Sequence, residues 1–250
     1  MKENNPQSGD NFKLLVQERI KNFWGYGIFE APTWFVGMEE GLEYDATHEH
    51  LTERFRVAHN KNTVDMRNGM ELVYGHSRWF NAEARIQPTW KFPIALYLYL
   101  KNGHPPTKEE IREHQALKLG DSLAKETMTV ELMPLPSNRA NQSTWMYGDL
   151  DIPGLGNRAE YLKRYKPVRV RKLRELFHQY QPKLAIFYSL MYLSEWAVVI
   201  GAEPEEITKG MYFAKTNSTA CCIIPQSASF GMSYVRLYEF AEKVRSRINY

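Results

Sequence analysis

Three short segments gather the side chains best suited to chemistry. The first reads Gly37-Met38-Glu39-Glu40-Gly41, an acidic pair between glycines after an apolar run. The second reads Glu131-Leu132-Met133-Pro134-Leu135-Pro136-Ser137-Asn138-Arg139. The third reads Ile224-Pro225-Gln226-Ser227-Ala228-Ser229, followed by Gly231 and Ser233. A carboxylate can orient water and stabilise positive charge as it develops. An ionised carboxylate only accepts hydrogen bonds, whereas a glutamine amide both donates and accepts. Ser137, Ser227, Ser229 and Ser233 are small donors suited to phosphate oxygens.

The elements that must hold these segments alternate between helix and strand. Phe12, Leu15, Val16, Ile20 and Phe23 recur at helical spacing behind a cap at Asp10 or Asn11, and the Gly25–Gly27 region ends that helix. Residues 33–37 (TWFVG) form a short buried strand that opens into a polar loop over 38–45. Residues 90–100 form a buried helix with Pro93 in its first turn, and Thr107 with Glu110 makes a capping box for the next helix. Residues 128–133 (MTVELM) form a second strand, ended by Pro134 and Pro136, and 148–156 a loop. Two helices fill 158–180, with a break near Pro167. LAIFY (184–188) and TACCII (219–224) are further strands, the latter ended by Pro225, and Ser233 caps a last helix. Apolar strands without alternation, separated by helices, predict a parallel sheet covered on both faces. In such sheets ligands bind beyond the carboxyl ends of the strands. All three chemical segments fall there.

Composition narrows the setting. The 250 residues suffice for one large domain, placed over 11–250 behind a disordered lead-in at 1–10. No run of about 18 apolar residues exists to span a membrane, and the lead-in lacks a signal-peptide core. The two cysteines, Cys221 and Cys222, are adjacent in an apolar run, which fits a reducing cytoplasm. The net charge of +3 identifies no partner. Residues 158–174, however, hold eight basic side chains (Arg158, Lys163, Arg164, Lys166, Arg169, Arg171, Lys172 and Arg174) against one acid, Glu160. Such a stretch suits phosphate contacts, and equally a solvated helix face. Asp45, His48, Glu49 and His50 lack a specific ligand spacing, so no metal is expected.

Taken in order, the three segments resemble the uracil-DNA glycosylase superfamily, from about residue 33 to residue 247. That family has a strand ending in G-x-[Asp/Asn/Ala]-P-[Tyr/Gly], a central strand with a base-reading Asn, and a late strand ending in His-Pro-Ser. The resemblance implies a three-layer α/β/α sandwich with a central, mainly parallel sheet of about four strands. It implies a monofunctional DNA glycosylase that flips a nucleotide and hydrolyses its N-glycosidic bond. Glu39 falls at the catalytic Asp or Asn, and Glu40 at the usual Pro; the motif does not separate the two as the catalytic carboxylate. Gly37, Met38, Gly41 and Glu131 fall at the base pocket, and Gln226 at the His that donates to base O2. Ser137, Asn138, Arg139, Ser227 and Ser229, with Lys163, Arg164, Arg169 and Arg171, are the expected DNA contacts. No lysine occupies the motif positions, so no Schiff base and no lyase step is expected. Branches with an iron–sulfur cluster need four cysteines, and this chain has two.

The departures from the motifs bear on the substrate. An ionised Glu131 suits the amino group of cytosine better than O4 of uracil. Gly41 leaves room at C5. Together they point to a modified cytosine, C5-hydroxymethylated or glucosylated, and so to antiviral defence. Glu131 facing a helix or pairing with Arg139 is the plain alternative. Gln226 in place of His favours a non-catalytic nucleic-acid-binding module of the same fold. An ordinary uracil repair enzyme and a hydrolase of small nucleosides complete the rivals.

Overall fold

The computed structural model describes residues 6–42, 46–74, 79–81, 83–138, 145–226 and 231–248. In chain order, α1 (Pro6–Asn22), β1 (Gly25–Tyr26) and β2 (Thr33–Gly41) lead into α2 (His48–Val57), β3 (Thr63–Val64) and α3 (Met66–Tyr74). Next come α4 (Pro88–Asn102), α5 (Lys108–Leu117), β4 (Thr127–Ser137), α6 (Arg158–Tyr180) and β5 (Leu184–Phe187). The chain closes with α7 (Leu193–Ile200), β6 (Glu205–Thr208), β7 (Met211–Lys215), β8 (Ala220–Ile223) and α8 (Tyr234–Arg245).

The strands form one mixed sheet of eight, ordered β3-β1-β4-β2-β5-β8-β7-β6, not a sheet of about four. The four strands read from the sequence are β4, β2, β5 and β8, and they form an unbroken parallel block. The extra strands extend both edges. β1 runs antiparallel to β4, and β7 antiparallel to β8. Two-residue strands such as β1 and β3 carry no periodicity for a sequence to display.

Successive side chains of β2 serve different cores, as a pleated strand requires. Trp34, Val36 and Met38 join one hydrophobic cluster and Phe35 the other. Val16, Phe55, Leu173 and Trp196, from α1, α2, α6 and α7, close the first. Leu96, Ile111 and Phe240, from α4, α5 and α8, close the second. All four residues of β5 are buried, which explains its uninterrupted apolar run.

Several boundaries differ from expectation for identifiable reasons. α1 starts at Pro6, ahead of Asp10 and Asn11, with a proline in its first position. β2 does not end at Gly37: it continues through Glu39 and Glu40 to Gly41. β4 likewise passes Pro134 and Pro136. Its register against β2 moves from Glu39↔Met133 to Gly41↔Ser137, so the prolines fall inside an irregular step. Bulges are where a strand tolerates a missing N–H. α4 begins with Pro88 in its first turn, and Pro93 lies deeper in the helix. α6 runs unbroken through Pro167, because Tyr161, Arg169, Val170, Leu173 and Phe177 bury on both sides of it. The expected capping box at Thr107 and Glu110 and the cap at Ser233 are both present. Among the described residues, no helix is long and apolar enough to cross a membrane.

Candidate active site

The strand register sets the geometry of the site. Gly37 of β2 is the Cα partner of Glu131 of β4. Val36 of β2 pairs with Phe187 of β5, which pairs with Ile223 of β8. β5 and β8 therefore end level with Val36 and Val130, one residue short of Gly37 and Glu131, while β2 and β4 run on. Glu39 lies two residues beyond Gly37 on β2, opposite Met133. Tyr188 follows β5 directly, and Gln226, half-buried, follows β8 after Ile224 and Pro225. Glu39, Glu131, Tyr188 and Gln226 thus gather where the inner strands stop, the position at which parallel sheets place ligands.

Glu40 has a structural environment that argues against the catalytic role expected for it. Arg19 donates Nη2 to its Oε1 at 3.1 Å, and the Tyr26 hydroxyl donates to the same oxygen. Arg54 pairs with Oε2. The Arg19 guanidinium lies 3.7 Å from the Phe23 ring centroid, and its Nε donates to the Pro134 carbonyl at 2.8 Å. Burial, then the Glu40 charge, push the Tyr26 hydroxyl up, so it stays a donor. A carboxylate with both oxygens held by buried cations is a clamp joining β2 to α1, α2 and β1.

Glu39 takes its counter-ion from α6. Arg158, in the first turn of that helix, places Nη2 2.5 Å from its Oε1, and the Glu39 side chain is 3% exposed. The stretch expected to face phosphates thus supplies the counter-ion of the candidate catalytic carboxylate. A charge-assisted contact of this kind fixes the carboxylate's orientation.

Glu131 differs again. It is 6% exposed, and its Oε2 has no hydrogen-bond partner among the described residues. The Tyr188 hydroxyl lies over Gly37, the Cα partner of Glu131, and so comes up against its carboxyl. Burial, then the charges of Glu40 and Glu39, push the carboxyl well above the usual range, outweighing Arg54 and Arg19. Burial thus favours its protonated form, which carries both a donor and an acceptor. The protonated form adds a donor to the acceptor-only reading, and the alternative pairing with Arg139 lies outside the described residues.

The remaining site residues divide. At Gly37 a Cβ would collide with the Tyr188 hydroxyl and lie 2.7 Å from Cζ, so its bareness accommodates that ring. Met38 is buried and accepts from the Ser189 hydroxyl through its sulfur at 3.0 Å. Gly41 is exposed, and a Cβ there would meet nothing within 4 Å. Ser137 is buried and Asn138 half-buried. Arg139, Ser227, Ser229 and Asp45 lie outside the described residues.

Arg169 is the clearest correction to the basic stretch. It is 3% exposed, and its guanidinium donates to the carbonyls of Leu132 at 2.8 Å and Glu131 at 3.0 Å. It also stacks 3.3 Å from the Trp24 ring centroid. Burial lowers its pKa to about 9, which still leaves it charged near neutrality. It braces the backbone behind Glu131 and is out of reach of phosphates. Lys166 pairs with Glu195. Lys163, Arg164, Arg171 and Lys172 remain exposed on α6.

His48 bonds the Met146 carbonyl at 2.8 Å, and among the described residues no cluster of three or more His, Cys, Asp or Glu side chains could hold a metal ion. Sequence reasoning missed Arg19, Arg54, Tyr26 and Tyr188. The two arginines had a signal, because each is a charge set among the apolar residues of its helix. Neither a protein-family model nor a curated protein matches the chain.

Proposed function

We propose that this chain is a monofunctional DNA glycosylase with the three-layer architecture of the uracil-DNA glycosylase superfamily, acting on a pyrimidine enlarged at C5. The observation that carries the reading is the placement of Glu39 and Glu131 beyond the ends of β5 and β8, one ion-paired and the other with an oxygen left over. The parallel block β4-β2-β5-β8, with apolar cores on both sides, supports the architecture.

The chemistry follows from the residues. A flipped base meets Glu131. A neutral carboxyl donates O–H to cytosine N3 and accepts from its amino group. It can also meet N3–H and O4 of uracil, and loses that match on ionising. The open space at Gly41 accepts a hydroxymethyl or glucosyl group at C5, which favours modified cytosine. As the bond from C1′ to the base breaks, its electron pair passes to the base. The Gln226 amide donates to base O2 as charge builds there. Glu39 stabilises the cationic sugar and orients the water that adds to C1′, leaving an abasic site.

The test is single-turnover release from duplexes containing uracil, cytosine, 5-hydroxymethylcytosine or its glucosylated form. The modified cytosines should be released fastest. Glu39→Gln should lower release by at least about 100-fold with DNA binding kept. The Glu39–Arg158 ion pair favours one competing reading, a non-catalytic DNA-binding module, since Arg158 already satisfies part of the carboxylate. Binding without release from any of the four duplexes would select it.

A further inference from the structure

Tyr188 has no counterpart among the residues singled out from the sequence, yet the sheet is built around its side chain. Its amide donates to the Val36 carbonyl at 3.1 Å, which keeps it in step with β2 just past the end of β5. It is 4% exposed. On the neighbouring strand, a Cβ on Gly37 would collide with the Tyr188 hydroxyl oxygen and lie 2.7 Å from its Cζ. Contacts that short do not occur, so only glycine at 37 admits the ring where it stands. Gly37 is in turn the Cα partner of Glu131. The tyrosine therefore crosses β2 at Gly37, where no side chain bars it, and its hydroxyl comes up against the Glu131 carboxyl on β4. Glu131 Oε2 is left with no partner among the described residues.

We propose that Tyr188 is a positioning residue: its hydroxyl, admitted by the missing Cβ of Gly37, holds one oxygen of Glu131 and leaves Oε2 as the oxygen that meets the base. What Oε2 meets rests on the glycosylase reading; the hold of Tyr188 on Glu131 does not. An oxygen that receives the Tyr188 proton is the acceptor oxygen of the acid, so the acid's own proton sits on Oε2. Neutral Glu131 then offers the ligand an O–H, and ionised Glu131 offers it a lone pair. Besides Tyr188, the charged groups bearing on this carboxyl are Glu39 and Glu40 of β2, Arg19 of α1 and Arg54 of α2. Tyr188 adds a neutral donor, and a donor to a carboxyl favours its ionised form.

Removing that donor should make Glu131 hold its proton to higher pH. The full chain, labelled with glutamate carrying carbon-13 at the side-chain carboxyl, is titrated by NMR, with Glu131→Gln assigning the resonance. In Tyr188→Phe the Glu131 midpoint should rise by about one pH unit, a tenfold gain in proton affinity. Gly37→Ala, which displaces the ring without removing its hydroxyl, should move the midpoint the same way. If Gly37→Ala does not fold, Tyr188→Phe decides alone. A midpoint unchanged in Tyr188→Phe overturns the proposal. A midpoint that moves while the wild type releases no base from any duplex upholds the hold on Glu131 and removes the glycosylase reading. Where base is released, its pH profile in Tyr188→Phe should follow the midpoint. A profile that stays fixed overturns the assignment of Oε2 to the base.

Discussion

Glu40 and Glu131 sit on adjacent strands at almost the same burial, 7% and 6% exposed, and their surroundings are opposite. Arg19, Arg54 and Tyr26 converge on Glu40, so its charge is neutralised inside the protein. Glu131 has a tyrosine hydroxyl beside it and one oxygen with no partner among the described residues, and burial shifts it toward its protonated form. A buried carboxylate with its cations is a fastener. A buried carboxyl without them is held ready for something else. Neither burial nor residue type separates the two; the count of donors around each oxygen does.

The largest expected effect tests the fastener. Glu40→Gln keeps the shape of the side chain and leaves Arg19 and Arg54 buried without their counter-charge. Breaking a buried ion pair from one side costs about 3–5 kcal/mol. Chemical denaturation at neutral pH should show a loss of that size. A loss below about 1 kcal/mol, the range of exposed pairs, would mean that Glu40 is no more structural than Glu131.

A smaller effect, and one that depends on pH, is expected at Glu131. Its carboxyl is raised in the folded protein above the 4.5 it has when unfolded. Between those two values the unfolded chain binds fewer protons than the native one, so stability falls as pH rises. Glu131→Gln removes that fall. The mutant should gain on the wild type progressively as pH is raised above 4.5, with little difference below it. His114 acts in the opposite sense: burial lowers its pKa from 6.5 to about 4, so its contribution is lost as pH falls through that window. The difference between mutant and wild type cancels the His114 contribution, and denaturation at a series of pH values measures it. A difference that shows no pH dependence would place Glu131 with the ionised, paired carboxylates.

How much of this was legible in the sequence depended on the range of the interaction. TWFVG, LAIFY and TACCII declare buried strands because a strand covered on both faces needs apolar residues throughout. Thr107 and Glu110 declare a cap because a capping box closes over three residues. The order of three polar segments at strand ends located Glu39, Glu131 and Gln226. Glu40 was not separable from Glu39 in that way, because Arg19 and Arg54 reach it from other helices. Yet Arg19 lies among Leu15, Val16, Ile20 and Phe23, and a cation within an apolar stripe implies a buried partner. Arg169 repeats the pattern, spaced by four from Leu173 and by eight from Tyr161 and Phe177. Read by helical period rather than by local charge density, it leaves the phosphate-binding set. Tyr188 left no trace at all, since its position depends on a glycine in another strand.

The smallest effect on stability is expected where the basic stretch faces water, and there the same contrast can be drawn within one helix. Lys163, Arg164 and Arg171 are exposed on α6, while Arg169 holds the carbonyls of Glu131 and Leu132. Changing the three exposed residues to Gln should alter folding stability by less than about 0.5 kcal/mol. If they bind phosphates, the slope of log affinity for duplex DNA against log salt should become shallower by about 0.9 for each phosphate no longer neutralised, whatever the DNA sequence. Arg169→Ala should do the reverse. It strips two buried carbonyls of their donor and removes a stacked cation from Trp24, so it should cost stability and leave the salt slope unchanged. Equal slopes in wild type and triple mutant would move the DNA path off α6. A slope that changes in Arg169→Ala without loss of stability would return that arginine to the phosphates and undo its assignment as a brace.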